Sequence, residues 1–230
     1  MTQKVHALVV AAGKGSRFGA DKPKQYMQID GKTILEHSLG ALACELVDSY
    51  TLVVAKDDAW IDECFFGAMT KPNIVMGGIE RWQSVKQGVL AIAAYAEDND
   101  LIAIHDAARP CLCADDLLAV IERAKTHKTG AILAVPVADT LKQVCGNEIV
   151  RTVSRDKLWQ AQTPQVFRVG KLLELFVYLD SLIKVDITDE ASGFEQMGLP
   201  VAVVQGSRSN IKLTHADDLA LVRAVLHSMG

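Results

Sequence analysis

The sequence predicts a three-layer α/β fold built on a mostly parallel sheet, with one β-hairpin arm projecting from it. Three observations predict this. Short β-branched or aliphatic runs alternate along the chain with longer segments whose apolar residues repeat at helical spacing. Two of these runs end directly in a glycine pair or glycine-studded turn. The rhythm breaks once, between Leu141 and Val153, where two short polar-apolar stretches flank Gly146-Asn147.

The elements follow in order. Val5–Val10 (VHALVV) is short and mostly aliphatic, so it reads as a buried strand. The turn after it carries Gly13, Gly15 and Gly19 among Lys14, Arg17, Lys22 and Lys24. Thr33 with Glu36 spells a capping box, and Ile34, Leu35, Leu39 and Leu42 give the helix behind it an apolar face. A strand at 51–55, a helix at 60–69 and a strand at Asn73–Met76 come next, and Gly77-Gly78 closes the last of these. Val85, Val89, Ile92 and Ala96 then mark a helix over 81–97 with Ser84 in its first turn. The apolar run 101–104 is a buried strand that ends in His105-Asp106; a helix near 115–125 and a strand near 131–137 complete this part. After the hairpin, 171–182 is helical, Thr188 caps a helix with Asp189 and Glu190 in its first turn, and 201–205 is a strand. Thr214 caps a last helix that buries Leu219, Val222 and Leu226. There is no internal repeat, low-complexity segment or linker.

The 230 residues, half of them apolar, suit a single domain over 1–230, with the arm at about 138–160. A net charge of −4 leaves no basic stripe to track a phosphodiester backbone, which argues against nucleic acid. Five scattered cysteines, Cys44, Cys64, Cys111, Cys113 and Cys145, make a disulfide framework or a zinc site improbable and read as reduced thiols. No apolar run approaches the ~20 residues needed to cross a bilayer, and the N-terminal run is too brief for a signal peptide. The expectation is a cytoplasmic chain without a membrane partner.

In parallel sheets ligands gather at the carboxyl ends of strands, which brings three segments together: 11–24, 77–84 and 106–109. The first has four cations in eleven residues and glycines that let a bulky anion approach the backbone, which points to a polyphosphate. Packing alone also explains glycine-rich turns. A P-loop is excluded because Gly15-Ser16-Arg17 lacks the Gly-Lys-Ser/Thr ending, and the spacing G-x-G-x-x-x-G departs from the dinucleotide fingerprint. With a nucleoside triphosphate in these loops, Gly13 and Gly15 admit the phosphates, Arg17 and Lys24 neutralise them, and Asp106 holds magnesium against phosphate oxygens. Gly78 and Ser84 are left to meet base or ribose. A phosphate nucleophile is already anionic and needs no general base, which fits the lack of any evident histidine-nucleophile pair; His105 reads as structural.

Six stretches carry a family resemblance: AAGKGSRFGADKPKQ (11–25), GGIERWQSV (77–85), HDAARP (105–110), TVSRDKLWQAQTPQ (152–165), TDEAS (188–192) and NIKLT (210–214). In this order and spacing the chain resembles the 2-C-methyl-D-erythritol 4-phosphate cytidylyltransferases of the non-mevalonate isoprenoid pathway. The resemblance implies a Rossmann-like nucleotidyltransferase sheet and a reaction of CTP with methylerythritol 4-phosphate, giving the CDP-linked polyol and pyrophosphate with Mg2+ or another divalent cation. It implies that Arg17 and Lys24 stabilise the transition state, and that Arg155 and Lys212 position the polyol phosphate. Arg109, Thr140, Thr163 and Thr188 are implied around the polyol, and Ala11, Ala12, Gly13, Gly78, Arg81, Ser84, Asp106 and Ala107 around CTP. It also implies a homodimer in which the hairpin arm of one subunit completes the polyol site of the other. Ile79 stands where the family often has an acidic or small polar residue, and the chain ends at Gly230 without the synthase domain that some relatives add, so a single activity is expected.

Other readings remain at this level. A ribitol 5-phosphate cytidylyltransferase shares the nucleotide motifs, and a non-catalytic nucleotide-binding dimer would bind CTP without releasing pyrophosphate. Taken singly, Arg109 and Arg155 also suit interface ion pairs, Lys212 a solvated charge, and the three threonines turns or caps.

Overall fold

The structure, a computed structural model, describes residues 3–13, 22–67 and 70–229. Strand β1 (Val5–Val10) is followed, among the described residues, by a 3-10 turn at Lys24–Tyr26 and a short hairpin, β2 (Gln28–Ile29) and β3 (Lys32–Thr33), that enters helix α1 (Ile34–Gly40). Then follow β4 (Ser49–Val54), a 3-10 turn at Ile61–Glu63, β5 (Asn73–Met76), α2 (Arg81–Ala93), β6 (Leu101–Asp106), α3 (Ala114–Thr126) and β7 (Gly130–Pro136). The arm is β8 (Leu141–Cys145) and β9 (Glu148–Val153). The chain closes with β10 (Trp159–Arg168), α4 (Val169–Asp180), α5 (Glu190–Gln196), β11 (Ala202–Gln205) and α6 (Asp218–Met229).

Seven strands form one sheet in the order β11-β7-β10-β6-β1-β4-β5, parallel except for β10, which runs against both its neighbours. The period of two along each strand sorts the core. Val5, Ala7 and Val9 face one side with Leu52, Leu101 and Ala103, against α1 and α3. Leu8, Val53, Ile102 and Ile104 face the other, against α2, α4 and Phe194 of α5. Strands covered on both faces must be apolar at consecutive positions, which is why LIAIHD is buried throughout and VHALVV up to its last residue. A third cluster, Ile29, Ile34, Ala108, Cys111, Leu213 and Val222, holds α6 against the end of the sheet.

The expected α/β layering, strands and hairpin are found, and the Thr33–Glu36 capping box is made in full. All five cysteines are free thiols. Among the described residues no helix is long and apolar enough to cross a membrane.

Five expectations are corrected. The helix at 60–69 is only the turn Ile61–Glu63, because the Phe65 N–H is drawn to Glu36 Oε1 of α1 at 2.9 Å and Cys64 turns extended; residues 68–69 lie outside the described residues. The 81–97 helix ends at Ala93, where Asp100 instead accepts the Glu97 N–H at 2.9 Å in a reverse turn. Asp189, not Thr188, caps α5, accepting the Ser192 N–H at 2.9 Å. Thr214 does not cap the last helix; its N–H and that of His215 both go to Asp218 Oδ2 at 2.7 Å, and α6 starts there. The arm stops before 160, since Trp159 already pairs with Pro136 in the main sheet.

That last strand, β10, went unread. Pro164 in its middle and its many glutamines argue against a central strand. The ladder with β7 shifts register between Ala161 and Gln165, so the bulge absorbs the proline where no N–H is required. The Thr163–Pro164 peptide within the bulge is cis.

The arm has its own two-stranded sheet, almost wholly exposed. Gly146 at φ +56° opens its turn in the left-handed region, as the first position of a type II′ turn requires.

Candidate active site

The chain leaves β1 toward β4 on one side and later returns to β6 on the other, so the carboxyl ends of β1 and β6 part at a topological switch point. A cavity of about 250 Å³ opens there. Ala11, Ala12 and Gly13 after β1, Gly78, Arg81 and Ser84 after β5, and Asp106 and Ala107 at the end of β6 all line it, as do Lys24 and Lys212.

The glycine turn is pinned from below by Gln25, whose buried side-chain amide donates to the Ala11 carbonyl at 2.8 Å and to that of Gly13 at 3.3 Å. A methyl on Gly13 would meet nothing within 4 Å among the described residues. Gly77 is tight instead. A Cβ there would lie 2.7 Å from Ser84 Oγ and 2.8 Å from Ala12 Cβ. We expect Gly77→Ala to push the turns after β1 and β5 apart, costing about 1–3 kcal/mol of stability, as read by urea unfolding. Ser84 is itself a brace: it takes the Gly78 N–H at 3.1 Å.

Asp106 is the electrostatic centre. Its Oδ2 lies 2.6 Å from Lys212 Nζ and 3.8 Å from Arg109 Nε, and its Oδ1 lies 3.5 Å from Arg81. Burial pushes the carboxyl up, yet Arg81, Lys212 and Arg109 together hold it well below the usual carboxylate range. It is ionised at neutral pH. Arg81 also reaches Glu190 Oε1 at 2.7 Å; burial lowers this guanidinium, but Glu190 and Asp106 outweigh that and raise it. Glu190, fully buried, was read in the sequence only as a first-turn acid of a helix, and Gln25 only as the end of a motif. What could have marked them is polarity without solvent, and that requires the fold.

Lys24 Nζ donates to the Leu213 carbonyl at 2.5 Å, which places it beside Lys212 across the cavity mouth. With Arg81, Lys212 and Lys24 against Asp106 and Glu80, the lining carries an excess of positive charge suited to a polyanion.

The remaining expected residues fall elsewhere. Gly15 and Arg17 lie outside the described residues. Arg109 is buried behind Asp106, donating to the Asn210 carbonyl at 2.7 Å. Thr163 is buried in the β10 bulge. Thr188 is exposed and lines a second cavity of about 210 Å³ with Arg81 and Asp189. Thr140 and Arg155 are exposed at the base of the arm and do not line the main cavity.

The ionised Asp106 carboxylate fits a magnesium ion, which takes one or two carboxylates and completes its shell with phosphate and water. Among the described residues no group of three metal-ligating side chains gathers, so the donor set fits a cation brought in with phosphates rather than a protein cage.

The 2-C-methyl-D-erythritol 4-phosphate cytidylyltransferase family profile matches residues 5–228. Curated relatives of that description include one from Neisseria meningitidis serogroup C, 44% identical over 232 residues and covering 100% of both chains. Another, from Psychrobacter cryohalolentis, is 43% identical over 98% of this chain and 93% of the relative. Among solved structures, one of a 4-diphosphocytidyl-2C-methyl-D-erythritol synthase superposes with a TM-score of 0.84 at 39% identity, covering 98% of this chain and 99% of that one. The Francisella tularensis 2-C-methyl-D-erythritol 4-phosphate cytidylyltransferase gives a TM-score of 0.81 at 34% identity, covering 97% and 100%.

Proposed function

The chain belongs to the 2-C-methyl-D-erythritol 4-phosphate cytidylyltransferase family, and on that premise we propose how its cavity carries the reaction. The enzyme transfers CMP from CTP to 2-C-methyl-D-erythritol 4-phosphate, giving 4-diphosphocytidyl-2-C-methyl-D-erythritol and pyrophosphate, in isoprenoid precursor biosynthesis. The observation that carries the residue assignment is the ionised Asp106 set among Arg81, Arg109 and Lys212 at the mouth of the glycine turn.

The triphosphate lies over Ala11, Ala12 and Gly13, with Gly15 continuing the cradle, and the nucleoside lies toward Gly78, Arg81, Ser84 and Ala107. A phosphate oxygen of the polyol attacks the α-phosphorus in line; the new P–O bond forms as the bond to the β-phosphate oxygen breaks, and pyrophosphate leaves. The attacking oxygen is anionic at neutral pH, so no base is needed. Arg17 and Lys24 meet the charge that grows on the phosphorus oxygens, which is where fixed cations act most strongly. Lys212 and Arg155 position the polyol phosphate, and Arg109, Thr140, Thr163 and Thr188 surround the polyol. Asp106 is the residue to hold Mg2+, which supplies neutralisation of phosphate charge.

The whole chain acts as one nucleotidyltransferase domain in the cytoplasm, where its five free thiols stay reduced. It works as a homodimer through the arm. Two observations support that: Val144, Ile149 and Val150 are each more than half exposed on the arm, and Thr140 and Arg155 at its base are exposed and do not line the main cavity. Ile149→Lys should convert dimer to monomer in analytical ultracentrifugation and raise the KM for the polyol phosphate more than that for CTP. A dimer with unchanged kinetics would refute the arm's role.

Pyrophosphate release, measured with methylerythritol 4-phosphate and ribitol 5-phosphate and with each of the four NTPs, tests the whole reading. Turnover is expected with CTP and the methylerythritol substrate. Preference for ribitol 5-phosphate, or CTP binding with no pyrophosphate at all, would overturn it.

A further inference from the structure

His105 and Thr163 form two sides of a closed ring of hydrogen bonds behind the cavity. His105 Nε2 lies 2.9 Å from the Arg109 carbonyl and its Nδ1 lies 3.0 Å from Thr163 Oγ1. The Thr163 carbonyl accepts from Asn210 Nδ2 at 2.8 Å, and the Asn210 carbonyl accepts from Arg109 at 2.7 Å. The ring is thus His105, Thr163, Asn210 and Arg109. His105 and Asn210 are fully buried and Thr163 and Arg109 nearly so.

For a neutral imidazole one arrangement of protons satisfies it. A carbonyl only accepts, so Nε2 carries the hydrogen that goes to Arg109. Thr163 Oγ1 already accepts the Asp106 N–H at 3.0 Å, which leaves its own hydrogen for Nδ1 of a neutral ring. The ring joins three chain segments that are far apart in sequence: the end of β6, the bulge of β10 and the stretch before α6. Two of the three bear site charges. Asp106 and Arg109 leave the first, and Lys212 stands two residues past Asn210, where the Leu213 N–H is tied back to the Ala108 carbonyl at 2.8 Å. The Thr163 hydroxyl has both its donor and an acceptor lone pair in use, a bracing task additional to its place near the polyol.

We propose that His105 is a positioning residue: its Nε2–H imidazole and the Thr163 hydroxyl lock the 106–109 turn to the 210–212 segment and so fix the spacing of the Asp106, Arg109 and Lys212 charges. The inference rests on the reading of those three charges as the reacting site. Displacements of about 1 Å at such a site cost up to about 100-fold in rate. The ring determines kcat, while CTP binding, made largely by the turns after β1 and β5, is left nearly unchanged.

The test uses the full-length enzyme and pyrophosphate release. Thr163→Val, which keeps the shape and deletes the hydroxyl, is expected to lower kcat by about 10- to 100-fold with the CTP KM within about threefold. Thr163→Ser, which returns the hydroxyl, should restore kcat to within about threefold. His105→Gln should resemble Thr163→Val, and the double variant should be no slower than the slower single, because both break one ring. Nitrogen-15 spectra of the parent, with His105 assigned by the His105→Gln spectrum or by selective labelling, should show a neutral ring protonated at Nε2. A Thr163→Val enzyme with kcat within about twofold of the parent, equal loss in Thr163→Val and Thr163→Ser, or a ring protonated at Nδ1 would each overturn the inference. Failure of the underlying site reading shows separately, as Lys212→Ala with unchanged kinetics for the polyol phosphate.

Discussion

Lys24→Ala lowers kcat by roughly 100-fold or more while changing the KM for CTP by only a few fold. The expectation comes from how firmly this cation is placed. Lys24 opens a one-turn 3-10 helix whose next two residues are buried anchors: Gln25 ties down the glycine turn, and Tyr26 donates its hydroxyl to Asp58 at 2.6 Å. The backbone that carries Lys24 is therefore fixed on its C-terminal side before any substrate arrives. Its ammonium group is held at the Leu213 carbonyl, within the same cavity as Asp106 and Lys212. A prepositioned cation costs no reorganisation when negative charge develops at the phosphorus, so its value appears in the transition state more than in ground-state binding. Steady-state kinetics with CTP varied at saturating polyol phosphate read the split directly. A KM effect with normal kcat would remove Lys24 from this role. Arg17→Ala is expected to behave alike.

Asp106→Asn is expected to be worse, because it removes a charge that three cations share. Arg81, Arg109 and Lys212 would face one another with no carboxylate between them. Activity should fall by at least about 100-fold, and stability by about 3 kcal/mol, the usual order for breaking one side of a buried ion pair. The pH dependence gives an independent check. The folded-state carboxyl lies below its unfolded value, so the unfolded chain binds more protons as pH falls and stability falls with it. The contribution is fully present above about pH 4 and fades as pH drops through the folded value. Thermal melts in metal-free buffer should therefore show the gap between parent and Asp106→Asn closing below about pH 4. A gap of constant size down to pH 2 would mean that the carboxylate is not held by its neighbours. Glu190 gives the third corner of this electrostatics, since it shares Arg81 with Asp106 at a shorter distance.

Much of the layout was legible in the sequence, and for physical reasons. Strands β1 and β6 must be apolar at consecutive positions because helices cover both faces, and VHALVV and LIAIHD advertise that directly. Thr33 and Glu36 make the bonds that their spacing spells. The turns after β1, β5 and β6 meet because parallel strands share one carboxyl end, so Ala11, Gly78 and Asp106 line one cavity. What misled was local spelling overruled by distant partners. The 60–69 stretch has helical spacing, but Glu36 claims the Phe65 N–H. Thr188 and Thr214 look like caps, but Asp189 takes the Ser192 N–H that starts α5, and Asp218 takes the N–H groups of Thr214 and His215. β10 carries Pro164 and four glutamine or threonine residues before it reaches its apolar end, and only the bulge against β7 makes room for them.

By itself, then, the sequence determined the layered fold, the converging loops and the family with its reaction, because periodicity, turn chemistry and ordered motifs are local properties of the chain. Tertiary structure alone decided the partners of each buried polar group: that Gln25 braces the glycine turn, that Glu190 shares Arg81, and that the Thr163 hydroxyl bonds His105 and the Asp106 N–H. A buried donor or acceptor must find its partner wherever the fold brings one, and for Thr163 and His105 that partner is 58 residues away.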